Sequence, residues 1–184
     1  MDKDLLISRR SFIKTASLIG SGFAIGFNFL QAKRELNSEF SPNMYINVLS
    51  DDTVVLSVSK AEMGQGIWTS LPMLIAEEME ADWGKVKVQQ ISKDNFIGTG
   101  GSMSISGYGW KKMREAGAVA KQVLVESAAL KWKVSPVECV AKNNVIYHEK
   151  TRQSTSFGSL VDKASKVKIP KSVRLKKPSE FNLL

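Results

Sequence analysis

A glutamine between two glycines, Gly64-Gln65-Gly66, is the arrangement in this chain with the clearest chemical potential. Because the glycines lack a Cβ atom, the backbone there can take positive φ and approach a bound group closely. Gln65 offers an amide with two donor hydrogens and an acceptor oxygen. A helix that begins directly afterwards would add free backbone N–H groups for an anion or an oxyanion-like ligand. The arrangement predicts a polar pocket, although spacing alone favours the alternative, a tight turn with Gln65 exposed.

The segments on either side of these glycines are predicted to be a strand and a helix. Residues 53–59 are rich in β-branched side chains with apolar residues in alternation, which predicts a half-buried strand. Residues 44–49 are expected to pair with it as a hairpin. After the glycines, apolar residues recur at the spacing of an amphipathic helix: Ile67, Leu71, Leu74, Ile75 and Met79. Gly84 suits the exit from this helix, and residues 85–91 alternate again as a strand with one wet face.

A second glycine-rich segment, residues 92–109, follows the last of these strands. Its glycines and hydroxyl side chains, among them Gly100, Gly101 and Ser102, could wrap a ligand closely and offer neutral donors. No lysine occupies the Walker position, so this is not a nucleoside-triphosphate loop. A flexible connector is the alternative, but a structureless segment of this length in a compact domain favours a binding loop.

The C-terminal half is predicted to hold a long helix and a small hairpin. Residues 110–131 place apolar and small side chains on one helical face. Ser135 and Pro136 have the types expected at an N-cap and a first helical position, so a short helix should follow them. Residues 144–155 are expected to form a hairpin, and residues 156–164 a last short helix.

Composition excludes several kinds of site. The chain has 184 residues and is 43% hydrophobic, enough for one domain with a core. The single cysteine, Cys139, excludes an internal disulfide, and with one histidine, His148, there is no protein ligand set for zinc or an iron–sulfur cluster. Metal chemistry must therefore come within a cofactor. We expect Cys139 to be a buried small hydrophobe and His148 to be an exposed turn residue.

The formal net charge of +8 is concentrated near the C-terminus. Residues 163–177 contain six lysines and one arginine but no acidic residue. We interpret residues 166–184 as a solvated, extended basic tail, and not as a nucleic-acid surface, because no aromatic-studded basic face accompanies the charge.

The N-terminus has the pattern of a twin-arginine export signal at residues 1–32. The paired Arg9 and Arg10 precede an uncharged, glycine-interrupted apolar run at residues 15–30. This run is shorter than the roughly 20 apolar residues that a permanent span needs. Export of a folded protein, with a cleaved or loosely anchoring signal, is therefore expected.

These elements predict an α+β domain at residues 43–165, in which two main helices pack on a small mixed sheet of about four to six strands. Polar residues 33–42 are predicted to be a linker between the signal and this domain.

Four segments together resemble one known family. They are EMGQG at residues 62–66, IWTSLPMLIAEE at residues 67–78, ADWGKVKV at residues 81–88 and GTGGS at residues 98–102. Through them, residues 42–184 resemble the molybdopterin-binding subunit of the xanthine dehydrogenase/aldehyde oxidase family, in the exported branch typified by isoquinoline 1-oxidoreductase beta subunits.

The resemblance implies a site. In that family the glutamine of the GQG turn donates a hydrogen bond toward an oxo ligand of molybdenum, and this role falls on Gln65. The residues implied to line the pterin and its phosphate are Gly64, Gly66, Gly100, Gly101 and Ser102. The cofactor implied is molybdopterin cytosine dinucleotide.

The resemblance also implies a reaction and partners. The family hydroxylates aldehydes or electron-poor carbons of N-heterocycles, with a glutamate base, and passes electrons to an iron–sulfur subunit or a cytochrome. Neutral donors suit such a site because they stabilise developing charge without adding a titrating group. The twin-arginine translocase and the remainder of the molybdenum subunit are the other expected partners, and the periplasm is the expected location.

One departure from the family limits this expectation. Family members are several times longer, and their catalytic glutamate belongs to a downstream region that this chain does not contain. Glu62, Glu77 and Glu78 match other positions and cannot take its role, so no catalytic residue and no protein metal ligand is assigned here. We expect the chain alone to be inactive and to contribute one wall of the site. The alternative is a non-catalytic exported binding module that keeps the fold without the cofactor.

Overall fold

The computed structural model describes residues 39–43, 45–91 and 101–182 of the chain. It shows an α+β architecture with two small sheets, one of four strands and one of three, so the predicted α+β class is confirmed. The predicted signal at residues 1–32 and the predicted cofactor residue Gly100 lie outside the described residues. Within the described residues, no helix combines the length and the apolar character that crossing a membrane requires.

The first sheet has the strand order β1-β2-β3-β4, formed by Glu39–Asn43, Ile46–Leu49, Val54–Val58 and Val86–Gln90. Neighbouring strands are antiparallel except for β3 and β4, which are parallel from Val54↔Val86 to Val58↔Gln90. The predicted hairpin and the predicted third strand are confirmed. β3 buries most of its length because it is a central strand covered by a helix, and each large aliphatic side chain buried there contributes roughly 1.5–3 kcal/mol.

Two main helices cover this sheet, α1 at Ile67–Met79 and α3 at Trp110–Trp132. Trp110 shares a groove with Met73 and Leu74, whereas Arg114, one turn later, bonds to Glu78 one turn further along α1. The first turns of α3 therefore pack against α1. Met79 ends α1 because Glu80 takes a left-handed conformation, with φ of 61°, so Gly84 is not the exit residue and lies instead in the single turn Trp83–Lys85.

The glycine-rich segment is helical from residue 101 onward, which corrects the predicted loop of residues 92–109. A short helix α2, Gly101–Ser104, continues through the π-helical turn Ile105–Gly109 into α3. A Cβ atom on Gly109 would lie 2.7 Å from the carbonyl oxygen of Ser104, so the glycine allows this wide turn to form. The glycines concealed the helix because glycine is unfavourable in the interior of a regular α-helix.

The second sheet, β5-β6-β7, packs at the C-terminal end of α3 and consists of Cys139–Lys142, Val145–His148 and Gln153–Ser156. The strand pair β6–β7 confirms the predicted hairpin, and the predicted short helix is the single turn Pro136–Glu138 with Pro136 in its first position. The last short helix, α4, spans Val161–Ala164 after the turn Gly158–Leu160.

Two boundaries differ from the sequence-based prediction. Residues 39–42 belong to β1 and not to a linker, because Phe40 pairs with Val48 and is only 3% exposed. The C-terminal segment is extended as predicted, but it is not solvated throughout, since Lys176 is buried against α1. In both places one side chain anchors a stretch whose composition is otherwise polar.

Candidate functional site

The two segments singled out by their glycines leave the same edge of the four-stranded sheet. β3 and β4 are neighbouring parallel strands whose last residues, Val58 and Gln90, pair with each other. Residues 59–66 follow β3, and the segment that leads to Gly101 follows β4. The carboxyl edge of parallel strands is where ligands bind in many α/β arrangements. The topology therefore places the ends of both strands, where residues 59 and 91 continue the chain, at one edge.

Each of the two helical segments begins at a glycine that requires a left-handed backbone. Gly64 has φ of 92°, Gly66 has φ of 74°, and Gly101 has φ of 62°. A Cβ atom at any of the three would meet nothing within 4 Å, so the conformation, not crowding, selects glycine there. The positive φ predicted for the Gly64–Gly66 turn is confirmed, and the open space leaves room for another molecule.

The backbone N–H groups at the start of α1 are not free, contrary to the sequence-based prediction. The Glu62 carboxylate accepts hydrogen bonds from the N–H groups of Gly64 at 2.8 Å, Gly66 at 3.1 Å and Trp68 at 3.1 Å. The Trp68 N–H is the main reason that the pKa of Glu62 is lowered, and the N–H groups of Gly66 and Gly64 add to it. The anion expected at this helix start is therefore the protein's own side chain. An acidic residue just before a helix start was the available signal.

Gln65 lies at the surface, and its amide folds back onto the turn. Its Oε1 accepts from the Met63 N–H at 2.6 Å, and its Nε2 donates to the Ala61 carbonyl at 2.8 Å. One amide hydrogen remains for another acceptor. Gln65 lines neither the groove between Met73 and Phe181 nor the one beside Asn143, so its role toward a cofactor stays a prediction.

The start of α2 shows the same open character. Ser102 is exposed in its first turn, and Ser104 donates from its hydroxyl to the Gly101 carbonyl at 2.9 Å. Large apolar side chains project beside both helix starts: Met63 is 69% exposed and Met103 is 83% exposed. These two exposed methionines are features that a covering surface would bury.

A buried charge network on α1 was missed at the sequence level. Glu78 is fully buried and accepts from Nε of Arg114 at 2.7 Å. Lys176 donates from Nζ to Glu77 at 2.6 Å and forms an ion pair with Glu80 at 2.7 Å. Helical spacing placed these glutamates near one another but could not show that a lysine about 100 residues later reaches them. These contacts tie the glutamates of α1 to structural partners.

Cys139 and His148 lie in the second sheet, away from both helix starts. Cys139 is buried as predicted, and burial raises the pKa of its thiol. His148 is 2% exposed and bonds through Nδ1 to the Thr151 hydroxyl at 2.7 Å, so the prediction of an exposed turn residue is wrong. Its ring also lies 6.3 Å from that of Trp132, and this packing explains the burial. No group of three or more metal-ligating side chains occurs in the residues the structure covers.

Comparison with curated proteins identifies two relatives. The chain is 34% identical over 181 residues to isoquinoline 1-oxidoreductase subunit beta of Brevundimonas diminuta, covering 90% of this chain and 23% of that protein. It is 31% identical over 169 residues to a membrane-bound aldehyde dehydrogenase of Gluconacetobacter polyoxogenes, which is named for pyrroloquinoline quinone, covering 85% and 21% respectively. The chain thus spans less than a quarter of the length of either relative.

The fold and the domain family agree with this comparison. Quinoline 2-oxidoreductase from Pseudomonas putida 86 superposes with a TM-score of 0.52 at 19% identity, over 63% of this chain and 15% of that one, which shows a shared fold. Residues 8–182 match the molybdopterin cofactor-binding domain family. The resemblance inferred from the four sequence segments is confirmed: the chain belongs to the molybdopterin cofactor-binding domain family and corresponds to one part of a xanthine dehydrogenase-type molybdenum subunit.

Proposed function

We propose that this chain forms one wall of a molybdopterin site in an exported molybdenum hydroxylase, and that it has no activity alone. The single observation that carries the proposal is that the left-handed Gly64–Gly66 turn follows β3 at the sheet edge where the neighbouring parallel strand β4 also ends. A second left-handed glycine, Gly101, begins the next described segment after β4. Membership of the cofactor-binding family supports it. The two exposed methionines beside those turns support a surface that another polypeptide completes.

The residues at the two turns suit the cofactor because they offer neutral hydrogen-bond donors and open space. Gln65 retains one amide hydrogen, and the space beside the Cα atoms of Gly64, Gly66 and Gly101 is open. We assign Gln65 to an oxo group of the metal and Gly64, Gly66, Gly101 and Ser102, with Gly100, to the pterin and its phosphate. The bound cofactor would supply the redox chemistry of hydroxylation, and the dinucleotide form is the one we expect.

Glu62 has a supporting role in this proposal. Its carboxylate accepts hydrogen bonds from the N–H groups at the helix start and so keeps the turn in one conformation. Because Glu62 accepts the N–H groups of Gly64 and Gly66, the first turn offers a ligand the remaining Gln65 amide hydrogen and close backbone approach, and not a bare positive helix end. A neutral amide donor suits an oxo group of a metal.

The remaining partners and the location follow from the sequence. We propose that the rest of the molybdenum subunit covers the carboxyl edge of the sheet, and that an iron–sulfur subunit or a cytochrome accepts the electrons. The paired arginines support export through the twin-arginine translocase to the periplasm. Aldehydes or N-heterocycles are the substrate class.

The test is to purify the full chain, tagged at its C-terminus, from a host that makes molybdopterin cytosine dinucleotide, together with whatever proteins co-purify. Molybdenum is measured by mass spectrometry, pterin by fluorescence after oxidation, and pyrroloquinoline quinone by a separate assay. We expect stoichiometric molybdenum and pterin in the complex, and no aldehyde oxidation by the isolated chain. Gln65→Ala should lower the molybdenum content, whereas Gln122→Ala, a glutamine of α3 that bonds to Glu126 and not to either glycine turn, should not.

Other outcomes would contradict the proposal in different ways. A complex with partners but neither molybdenum nor pterin would favour the non-catalytic binding module, an alternative consistent with the inward hydrogen bonds of Gln65. Quinone without molybdenum would assign the other cofactor. Oxidation by the isolated chain would overturn the claim that it is inactive alone.

A further inference from the structure

Lys176 is a buried lysine in the segment that composition marks as a solvated tail. Its side chain is 6% exposed, and its ammonium contacts Glu77 at 2.6 Å and Glu80 at 2.7 Å. Burial acts to lower the pKa of Lys176, but the hydrogen bonds to Glu77 and Glu80 outweigh it and raise the pKa above its ordinary value. The ammonium therefore fixes the C-terminal segment to the last turn of α1.

The backbone of the same residue joins the two main helices. The Lys176 N–H donates to the Glu78 carboxylate of α1 at 3.1 Å, and its carbonyl accepts from Nη2 of Arg114 in α3 at 2.5 Å. Glu78 and Arg114 also bond directly to each other. The backbone N–H and carbonyl of this one residue thus close a triangle with an acidic side chain of α1 and a basic side chain of α3.

The residues around Lys176 form a unit with their own internal bonds. Arg174 pairs with both carboxylate oxygens of Glu180 at 2.6 and 2.8 Å, and the Lys177 N–H donates to Glu180 at 2.6 Å. Further along, the Phe181 ring lies 5.1 Å from the guanidinium carbon of Arg114, and the Asn182 N–H donates to Glu77. We call residues 174–182 the strap.

We propose that the strap is a latch closed by Lys176, and that it holds the start of the long helical segment, residues 101–113, in place on α1. Arg114 lies directly after this segment and joins α3 to the strap, because its Nη2 donates to the Lys176 carbonyl. Upstream of it lie the short helix α2 and the π-turn, and Ser104, which precedes the π-turn, makes no side-chain cap hydrogen bond to it. Opening the latch should therefore loosen residues 101–109, where the second predicted cofactor segment lies.

The first glycine turn provides an internal control. Residues 62–68 are held by the Glu62 carboxylate and the Gln65 amide, neither of which contacts the strap. A latch that acts through Arg114 should leave this turn unchanged. The inference concerns the conformation of the apo chain and does not depend on the cofactor proposal, so either can fail without the other.

Hydrogen exchange by mass spectrometry on the full chain tests the latch. Lys176→Met leaves Glu77 and Glu80 without their ammonium partner, and Lys171→Met, at an exposed position in the same basic segment, is the matched control. In Lys176→Met we expect exchange on the order of tenfold faster in residues 174–182 and in residues 101–109. Residues 62–68 and the sheet residues 46–58 should keep their wild-type rates, and Lys171→Met should match wild type throughout.

Two results would overturn the proposal. If the strap stays protected in Lys176→Met, then Lys176 is not the closing residue. If the strap exchanges faster but residues 101–109 do not, then the strap is only an attached tail. If Lys176→Met also accelerates exchange in residues 46–58, global unfolding is responsible. Exchange is then measured in Phe181→Ala, which removes only the ring beside Arg114. Faster exchange in residues 174–182 without faster exchange in residues 101–109 would again overturn the proposal.

Discussion

Gly117 of α3 lies directly against the carbonyl oxygen of Ile75 in α1: a Cβ atom built on this glycine would be 2.3 Å from that oxygen and 3.0 Å from Cβ of Glu78. The close approach of the two helices is possible because the residue has no side chain. It also brings Glu78 within reach of Arg114. The register of the helix pair therefore depends on one glycine and one buried ion pair.

Gly117→Ala should destabilise the domain by about 1–3 kcal/mol, because the added methyl group forces the helices apart. Gly107→Ala is the matched control, since a Cβ atom there would meet nothing within 4 Å and the position is helical. That change should be neutral or stabilise the protein by up to about 1 kcal/mol. Denaturant unfolding followed by circular dichroism measures both, and equal effects of the two substitutions would show that the helix contact is not tight.

The ion pair of Glu78 and Arg114 should show strong coupling. Glu78→Leu or Arg114→Met alone leaves a buried charge without its partner and should cost about 3–5 kcal/mol, whereas the double variant should recover much of that loss. The free energies of unfolding of the four proteins give the coupling energy. Additive losses in the double variant would mean that the pair contributes no direct interaction.

Asn144 is expected to be the main polar link between the two sheets. It is fully buried, accepts from the Asp82 N–H at 2.9 Å and donates to the Asp52 carbonyl at 2.9 Å. Asn144→Ala leaves both groups without this partner and should cost about 3 kcal/mol more than the backbone strain alone.

Asn143→Ala measures the strain by itself. Asn143 also has positive φ, at 48°, but is exposed, so its replacement should cost only the roughly 1–2 kcal/mol of a left-handed alanine. Thermal and denaturant unfolding of both variants separate the two terms. Equal losses would assign the effect to the backbone.

The Gly64–Gly66 turn should weaken in acid. Hydrogen bonds from the turn hold the pKa of Glu62 below its ordinary value of 4.5, so the carboxylate's contribution is complete above that value and is lost as the pH falls through the lower folded value. The amide resonances of Gly64, Gly66 and Trp68 should titrate together in this range in nuclear magnetic resonance spectra. Glu62→Gln should abolish the titration, whereas Asp51→Asn, at another carboxyl with a lowered pKa, should leave it intact.

Elements with local signals could be predicted from the amino-acid sequence. Alternation gave β3 and β4, the spacing of Leu71 and Ile75 gave α1, and paired glycines gave the left-handed turn before it. These features depend on backbone sterics and on periodic burial, both of which act within a few residues. Family membership also followed from contiguous segments, which the comparisons confirmed.

The hydrogen-bond and packing partners of individual side chains became known only from the folded structure. The N–H groups of the turn donate to the Glu62 carboxylate and not to a ligand, and the Gln65 amide bonds to its own loop. His148 is buried against Trp132. Lys176 enters a buried acidic cluster about 100 residues away in sequence. A composition is an average over a segment, so it predicts that such side chains lie at the surface. Whether a charge is solvated or paired depends on which distant atoms the fold brings within about 3 Å of it, and that distance is not a property of the sequence around it.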